Sequence, residues 1–217
     1  MTTSIDPSAA GEGSESPPAR HDPPPSVALP PLGTGDVIAC WGTDWVSLLI
    51  SLMTINILPP WSWRLVWGPS HVAIIHCDSN GKPWWYESTM MVDGKCGVQA
   101  HEPAERWAAY KGRCVVYQIN PRELGPGDSE EMGRQLLWFL QRQTTYDIVG
   151  ALLSGTRILR WFTVAGDSSL FCSEMVCEVL QSVGVINRQS ATALNPLRLI
   201  RQLVTNGTHH YLPRGGR

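Results

Sequence analysis

Apolar residues along the chain fall into short runs and helical stripes, separated by Gly, Pro, Ser, Asn and Asp. Val37-Ile38-Ala39-Cys40, fed by the turn Gly33-Thr34-Gly35-Asp36, predicts a short buried strand. Ser70 to Cys77 and Trp84 to Ser88, rich in β-branched and aromatic residues, predict two more, and Asp78-Ser79-Asn80-Gly81-Lys82 between them is a turn signal. Cys114 to Ile119 predicts a fourth strand. Met90 to Tyr110 reads as irregular, except for a short helix from Pro103 to Tyr110.

Helical spacing follows elsewhere. Trp45, Leu48, Leu49, Leu52 and Met53 form one stripe behind Thr43 or Asp44, ended by Pro59-Pro60. The apolar run to Leu58 is shorter than the ~20 residues that cross a bilayer, though it could lie on a membrane surface or line an apolar groove. Asp128 with Glu131 predicts a capping box before Met132, Leu136, Phe139 and Leu140. Tyr146-Asp147 predicts another helix through Leu159. Asn195-Pro196 predicts a last one, with Leu197, Ile200 and Val204 inward. Val176, Val179, Leu180 and Val183 mark a helix that Ser168 or Ser169 can cap and Gly184 can end.

Residues 1–31 are rich in Pro, Ser, Gly and charge and predict a disordered leader; 32–206 read as one domain, and 207–217 as a flexible tail. No secretory signal is read, so the expected location is cytoplasmic. Of 217 residues 43% are hydrophobic, enough for one well-formed core. The net charge of -2 and the lack of a Lys/Arg run argue against nucleic acid as a partner. Six cysteines without CxxC pairs argue against a disulfide framework or a structural metal, and no cofactor motif is read. Ten tryptophans, seven of them between Trp41 and Trp85, suit either an apolar groove and peripheral membrane contact or a Trp-rich core.

The candidate chemistry centres on Cys172, in the first turn of its predicted helix. A thiol in that setting meets unpaired backbone N–H groups and the positive end of the helix dipole, which favour a thiolate nucleophile. The plain alternative is a small apolar residue on a buried face. Nucleophilic catalysis also needs a base and a group to orient it. His71 and Glu87 stand on the two arms of the predicted hairpin. With an odd loop, such as Ser79 to Gly81, they become diagonal neighbours on one face; a two-residue Asn80-Gly81 turn would separate them. The odd loop is the expectation, and with another register Glu174 or Glu178 could serve instead. His76 should face away from His71, and His101, His209 and His210 read as solvated. Cys40, Cys77, Cys96, Cys114 and Cys177 read as structural.

Gly35-Asp36-Val37-Ile38, Trp67-Gly68-Pro69-Ser70-His71-Val72-Ala73-Ile74, Tyr86-Glu87-Ser88 and Phe171-Cys172-Ser173-Glu174-Met175-Val176 resemble, in this order, circularly permuted papain-like enzymes of the NlpC superfamily. The resemblance covers roughly residues 33–204. It implies an α+β papain-like fold, a small antiparallel sheet packed against helices, with the His strand before the Cys helix. It further implies Cys172 as nucleophile, His71 as base and Glu87 as orienting group in a cysteine hydrolase acting on an amide, thioester or ester. Such a site takes a peptide, amide or acyl-lipid substrate. An acyltransferase using the same thiol, and a catalytically silent lipid- or peptide-binding module, remain the alternatives.

Overall fold

The computed structural model describes residues 29–43, 68–92, 95–142, 172–187 and 194–212. The expected leader (apart from residues 29–31), the Trp45 to Leu58 helix and the helix from Tyr146 lie outside them, as do the caps Ser168 and Ser169.

The described residues form an α+β fold around a six-stranded antiparallel sheet. Its strands are β1 (Val37–Gly42), β2 (His71–Cys77), β3 (Pro83–Val92), β4 (Lys95–His101), β5 (Gly112–Ile119) and β6 (His209–Tyr211), in the spatial order β4-β3-β2-β1-β5-β6. The helices are α1 (Pro103–Ala109), α2 (Asp128–Gln141), α3 (Cys172–Ser182) and α4 (Pro196–Thr205).

Both faces of the sheet are covered, which explains the unbroken apolar runs in β1 and β2: a strand buried on both sides has no polar face to alternate with. Val37, Ala39, Val72, Ile74 and Tyr86 pack with Met132, Leu136, Phe139, Met175, Val176, Leu199 and Leu203 of α2, α3 and α4. Ile38, Cys40, Ala73, Ile75, Trp85, Cys114 and Val116 form the opposite layer, with Trp107 and Tyr110 at the α1 end. Trp85 and Trp107 meet edge to face at 6.2 Å between ring centroids.

The β2–β3 hairpin has the odd register. Cys77 pairs with Pro83, His76 with Trp84 and Ile74 with Tyr86, so the tip is Ser79-Asn80-Gly81. Asp78 makes that turn: its Oδ1 accepts from Asn80 N at 2.9 Å and Lys82 N at 3.0 Å, and Gly81 takes φ 75°, a conformation glycine adopts without penalty.

Four sequence expectations are corrected. The segment after Met90 is not irregular, because β4 pairs with β3 as an edge strand. Its Lys95, Gly97 and Gln99 give it no apolar signature of its own, and the pairing supplies what its side chains do not. The tail is ordered through Leu212: β6 pairs with β5, and His209 is buried under it. The N-cap of α2 is Gly127, at φ 90°, rather than an Asp128 box; Asp128 Oδ2 instead accepts from Gly125 N at 2.6 Å. On α4, Val204 is 46% exposed, and Leu199 and Leu203 point inward beside Leu197 and Ile200. Asn195 caps α4 as expected, accepting from Arg198 N at 2.9 Å.

Candidate active site

Cys172 is the first residue of α3 and is fully buried. Two features fix the helix start: Ser173 Oγ donates to the Leu194 carbonyl, and Met175, Val176 and Val179 are sunk in the core. The helix ends where expected, with Gly184 at φ 75° and Val185 N donating to Leu180 O at 3.0 Å.

His71 is the first residue of β2 and the register partner of Cys40. Continuing the hairpin register places Glu87 opposite Ala73, so His71 and Glu87 are diagonal neighbours on one pleat. His71 Nε2 donates to Glu87 Oε2 at 2.7 Å. The Cys172 thiol lies near enough to the His71 ring to act on its charge state. With Nε2 committed to the carboxylate, Nδ1 is the nitrogen left for sulfur. Cys172 belongs to the helix-side core, whereas Glu87 shares its pleat with Trp85 on the other side. Being the end residue of its strand, His71 can bridge the two layers.

Electrostatics reinforce the geometry. Burial alone would pull the His71 pKa down, but the nearby Cys172, followed by the hydrogen bond and charge of Glu87, raise it to about 10. Burial would likewise raise Glu87, yet His71 and then Arg106 hold it at about 2. Glu87 is therefore a carboxylate with no exposed surface, and its partners are what make that state tolerable.

Two neighbours of Glu87 do not follow from the sequence reading, which leaves Arg106 unremarked and reads His101 as solvated. Arg106 on α1 donates from Nε to Glu87 Oε1 at 2.5 Å, and His101 Nε2 at the end of β4 stands 3.5 Å from the same oxygen. His101 is thus mostly enclosed beside a carboxylate, which corrects its reading as a solvated loop residue. The signal for Arg106 was slight: one arginine in the short helix that follows β4.

The remaining candidates separate cleanly. Glu174 and Glu178 lie on α3, and neither is the carboxylate that meets the imidazole. His76 lies on the other side of β2 from His71, with its ring edge-on to Tyr86 and against Gly133 of α2. His209 is buried, its Nε2 donating to the Gly35 carbonyl at 3.0 Å and its Nδ1 facing Thr208 Oγ1 at 3.1 Å; burial pushes its pKa down to about 4. This too corrects the solvated reading. Cys177 is buried and its thiol pushed up to about 12, chiefly by desolvation. Cys40 and Cys114, both buried, are register partners on β1 and β5 with sulfurs 3.2 Å apart. Among the described residues Cys40, Cys77, Cys114, Cys172 and Cys177 are free thiols.

This chain is similar in fold to the metalloprotein yiiX from Escherichia coli O157:H7. The likeness to that crystal structure has a TM-score of 0.51 and 18% sequence identity, covering 86% of this chain and 99% of the other. At that identity it speaks for the fold alone. No family model matches the chain, and no curated protein matches it. Among the described residues no group of three or more His, Cys, Asp or Glu could hold a metal ion. Around Glu87 the reason is visible: His71 engages one carboxylate oxygen, and the Arg106 cation sits against the other.

Proposed function

We propose that this protein is a cysteine hydrolase of the permuted papain-like type, cleaving an amide, thioester or ester through an acyl-enzyme on Cys172. The observation that carries the reading is one imidazole bonded to a buried carboxylate, His71 Nε2 to Glu87 Oε2 at 2.7 Å, with the helix-opening Cys172 near enough to act on its charge. The chain order, His71 and Glu87 on consecutive strands before Cys172, supports the permuted assignment, and the antiparallel sheet packed on helices is compatible with it.

In the proposed reaction the Cys172 proton passes to His71, and sulfur attacks the substrate carbonyl carbon. The resulting oxyanion is stabilised by the backbone N–H of Cys172 at the start of α3, where no intrahelical acceptor competes. The C–N, C–S or C–O bond breaks as protonated His71 gives its proton to the leaving group. Water, deprotonated by His71, then attacks the acyl carbon, and the acid product leaves with the thiol restored. Glu87 holds the ring with Nδ1 toward sulfur throughout and balances the imidazolium charge.

Incubation with acyl amides, thioesters and esters, followed by intact-protein mass spectrometry, tests this reading. The reading predicts an acyl mass increment on Cys172, free acid as product, and neither in Cys172→Ala. Turnover that survives Cys172→Ala contradicts it. Exclusive transfer of the acyl group to an added amine or lipid, with no free acid, would instead make the protein an acyltransferase.

A further inference from the structure

The orienting carboxylate is itself held from behind, by Arg106 of α1. Glu87 has two oxygens and two close donors, and the donors divide them: Oε2 takes His71 Nε2 at 2.7 Å, and Oε1 takes Arg106 Nε at 2.5 Å. Arg106 is enclosed, with 11% of its side chain exposed, and its guanidinium carbon lies 5.3 Å from the centre of the Tyr110 ring. Tyr110 is itself partly buried against the sheet layer that holds Trp85 and Cys40. The arginine is clamped between an aromatic face and a carboxylate, so its fork approaches from a fixed direction. His101 Nε2 stands farther from the same oxygen, at 3.5 Å.

A carboxylate bonded through one oxygen can rotate about its last torsion; one bonded through both cannot without losing a charge-assisted hydrogen bond, and Glu87 has no exposed surface on which water could replace it. We infer that Arg106 is a positioning residue for the Cys172 reaction, acting through Glu87: it fixes the carboxylate so that Oε2 faces His71. The inference rests on the reading of Cys172, His71 and Glu87 given above. It adds α1 to the elements that set the reactivity of a thiol it does not touch. It also explains why a short helix beginning at Pro103, with Trp107 packed on Trp85, is pinned beneath that end of the sheet.

The test is the rate of Cys172 carbamidomethylation by iodoacetamide, read by peptide mass spectrometry across pH in the wild type, Arg106→Gln, Arg106→Lys, Glu87→Gln and the Arg106→Gln/Glu87→Gln double variant. Arg106→Gln should slow the neutral-pH reaction about tenfold or more, and Arg106→Lys should recover part of the loss. The double variant should react no more slowly than Glu87→Gln alone, because the arginine has nothing left to orient. Without its guanidinium partner Glu87 protonates more readily, so the acid limb of the Arg106→Gln profile should move up by about one pH unit. A structural role alone would leave that limb in place. An unchanged limb, or single-variant losses that multiply in the double variant, would overturn the inference while leaving the Cys172 nucleophile standing. Should Arg106→Gln fail to fold, Arg106→Lys carries the same comparison: a loss absorbed by Glu87→Gln supports the inference, and no loss, or one that multiplies, overturns it. If wild-type Cys172 reacts no faster than a free thiol, the functional reading fails and this inference with it.

Discussion

His71 and Glu87, sixteen positions apart in sequence, meet at 2.7 Å because a three-residue hairpin tip sets them diagonally on one pleat. A shift of one residue in that register would put the two side chains on opposite faces of the sheet. The Asp78 side chain, which holds the turn by accepting from Asn80 and Lys82, therefore acts on the site from the far end of the hairpin.

Replacing the carboxylate should be read in rate before stability. Glu87→Gln keeps the shape but removes the charge that sustains the imidazolium. Turnover should fall about 10²-fold or more, with KM little changed, as expected for a group that matters mainly in the transition state. Steady-state kinetics on the best substrate found would check it; a loss confined to KM would assign Glu87 to binding.

The same pair predicts a pH window for stability. Glu87 is depressed to about 2, so its contribution is present above about 4.5 and is lost as pH falls through 2. His71 is raised to about 10, so its contribution is present below about 6.5 and is lost as pH rises through 10. The His71–Glu87 contact enters both limbs and is counted once; Cys172 supplies the larger part of the rise in His71, and Arg106 part of the fall in Glu87. The Tm difference between wild type and Glu87→Gln should therefore be widest between about pH 4.5 and 6.5 and narrow on either side. Calorimetry across that range checks it, and a difference independent of pH would contradict it.

His209 supplies a separate acid-sensitive contribution. Its pKa falls to about 4 on folding, so the unfolded chain binds the proton more tightly between about 4 and 6.5, and stability declines on acidification across that window, by roughly 3 kcal/mol at most. His209→Gln should lower Tm at neutral pH by removing the bond to Gly35, yet flatten the slope between pH 4 and 6.5. An unchanged slope would contradict this account.

Gly112 faces Gly42 across β1 and β5 with φ 153°, and a Cβ there would lie 2.0 Å from the Trp41 carbonyl oxygen. Backbone cannot rotate away as a side chain can. Gly112→Ala should cost about 3 kcal/mol or more and loosen the β1–β5 pairing that backs Cys40, the register partner of His71. Denaturant unfolding measures the cost; a loss below about 1 kcal/mol would show that the strands separate without strain.

Much of this arrangement is legible in local sequence, because local forces create it. Apolar runs mark the doubly covered strands, Asp78 to Gly81 marks the turn, and Gly184 and Asn195-Pro196 mark the ends of α3 and the start of α4. What escaped is held by partners distant in sequence. β4 and β6 are edge strands whose order comes from β3 and β5, and their polar residues carry no alternating signal of their own. Arg106, His101 and His209 are enclosed by groups from other elements, and nothing in the neighbouring residues distinguishes a paired, buried charge from a solvated one. Val204 was misplaced because α4 turns a slightly different stripe inward, one including Leu199 and Leu203.

The most direct measurement is site-resolved labelling of all six cysteines with a small alkylating reagent at neutral pH, in the wild type and in His71→Ala. The account predicts that Cys172 reacts far ahead of the other five in the wild type and loses that lead when the imidazole is removed. Uniform labelling, or a Cys172 rate indifferent to His71, would contradict it.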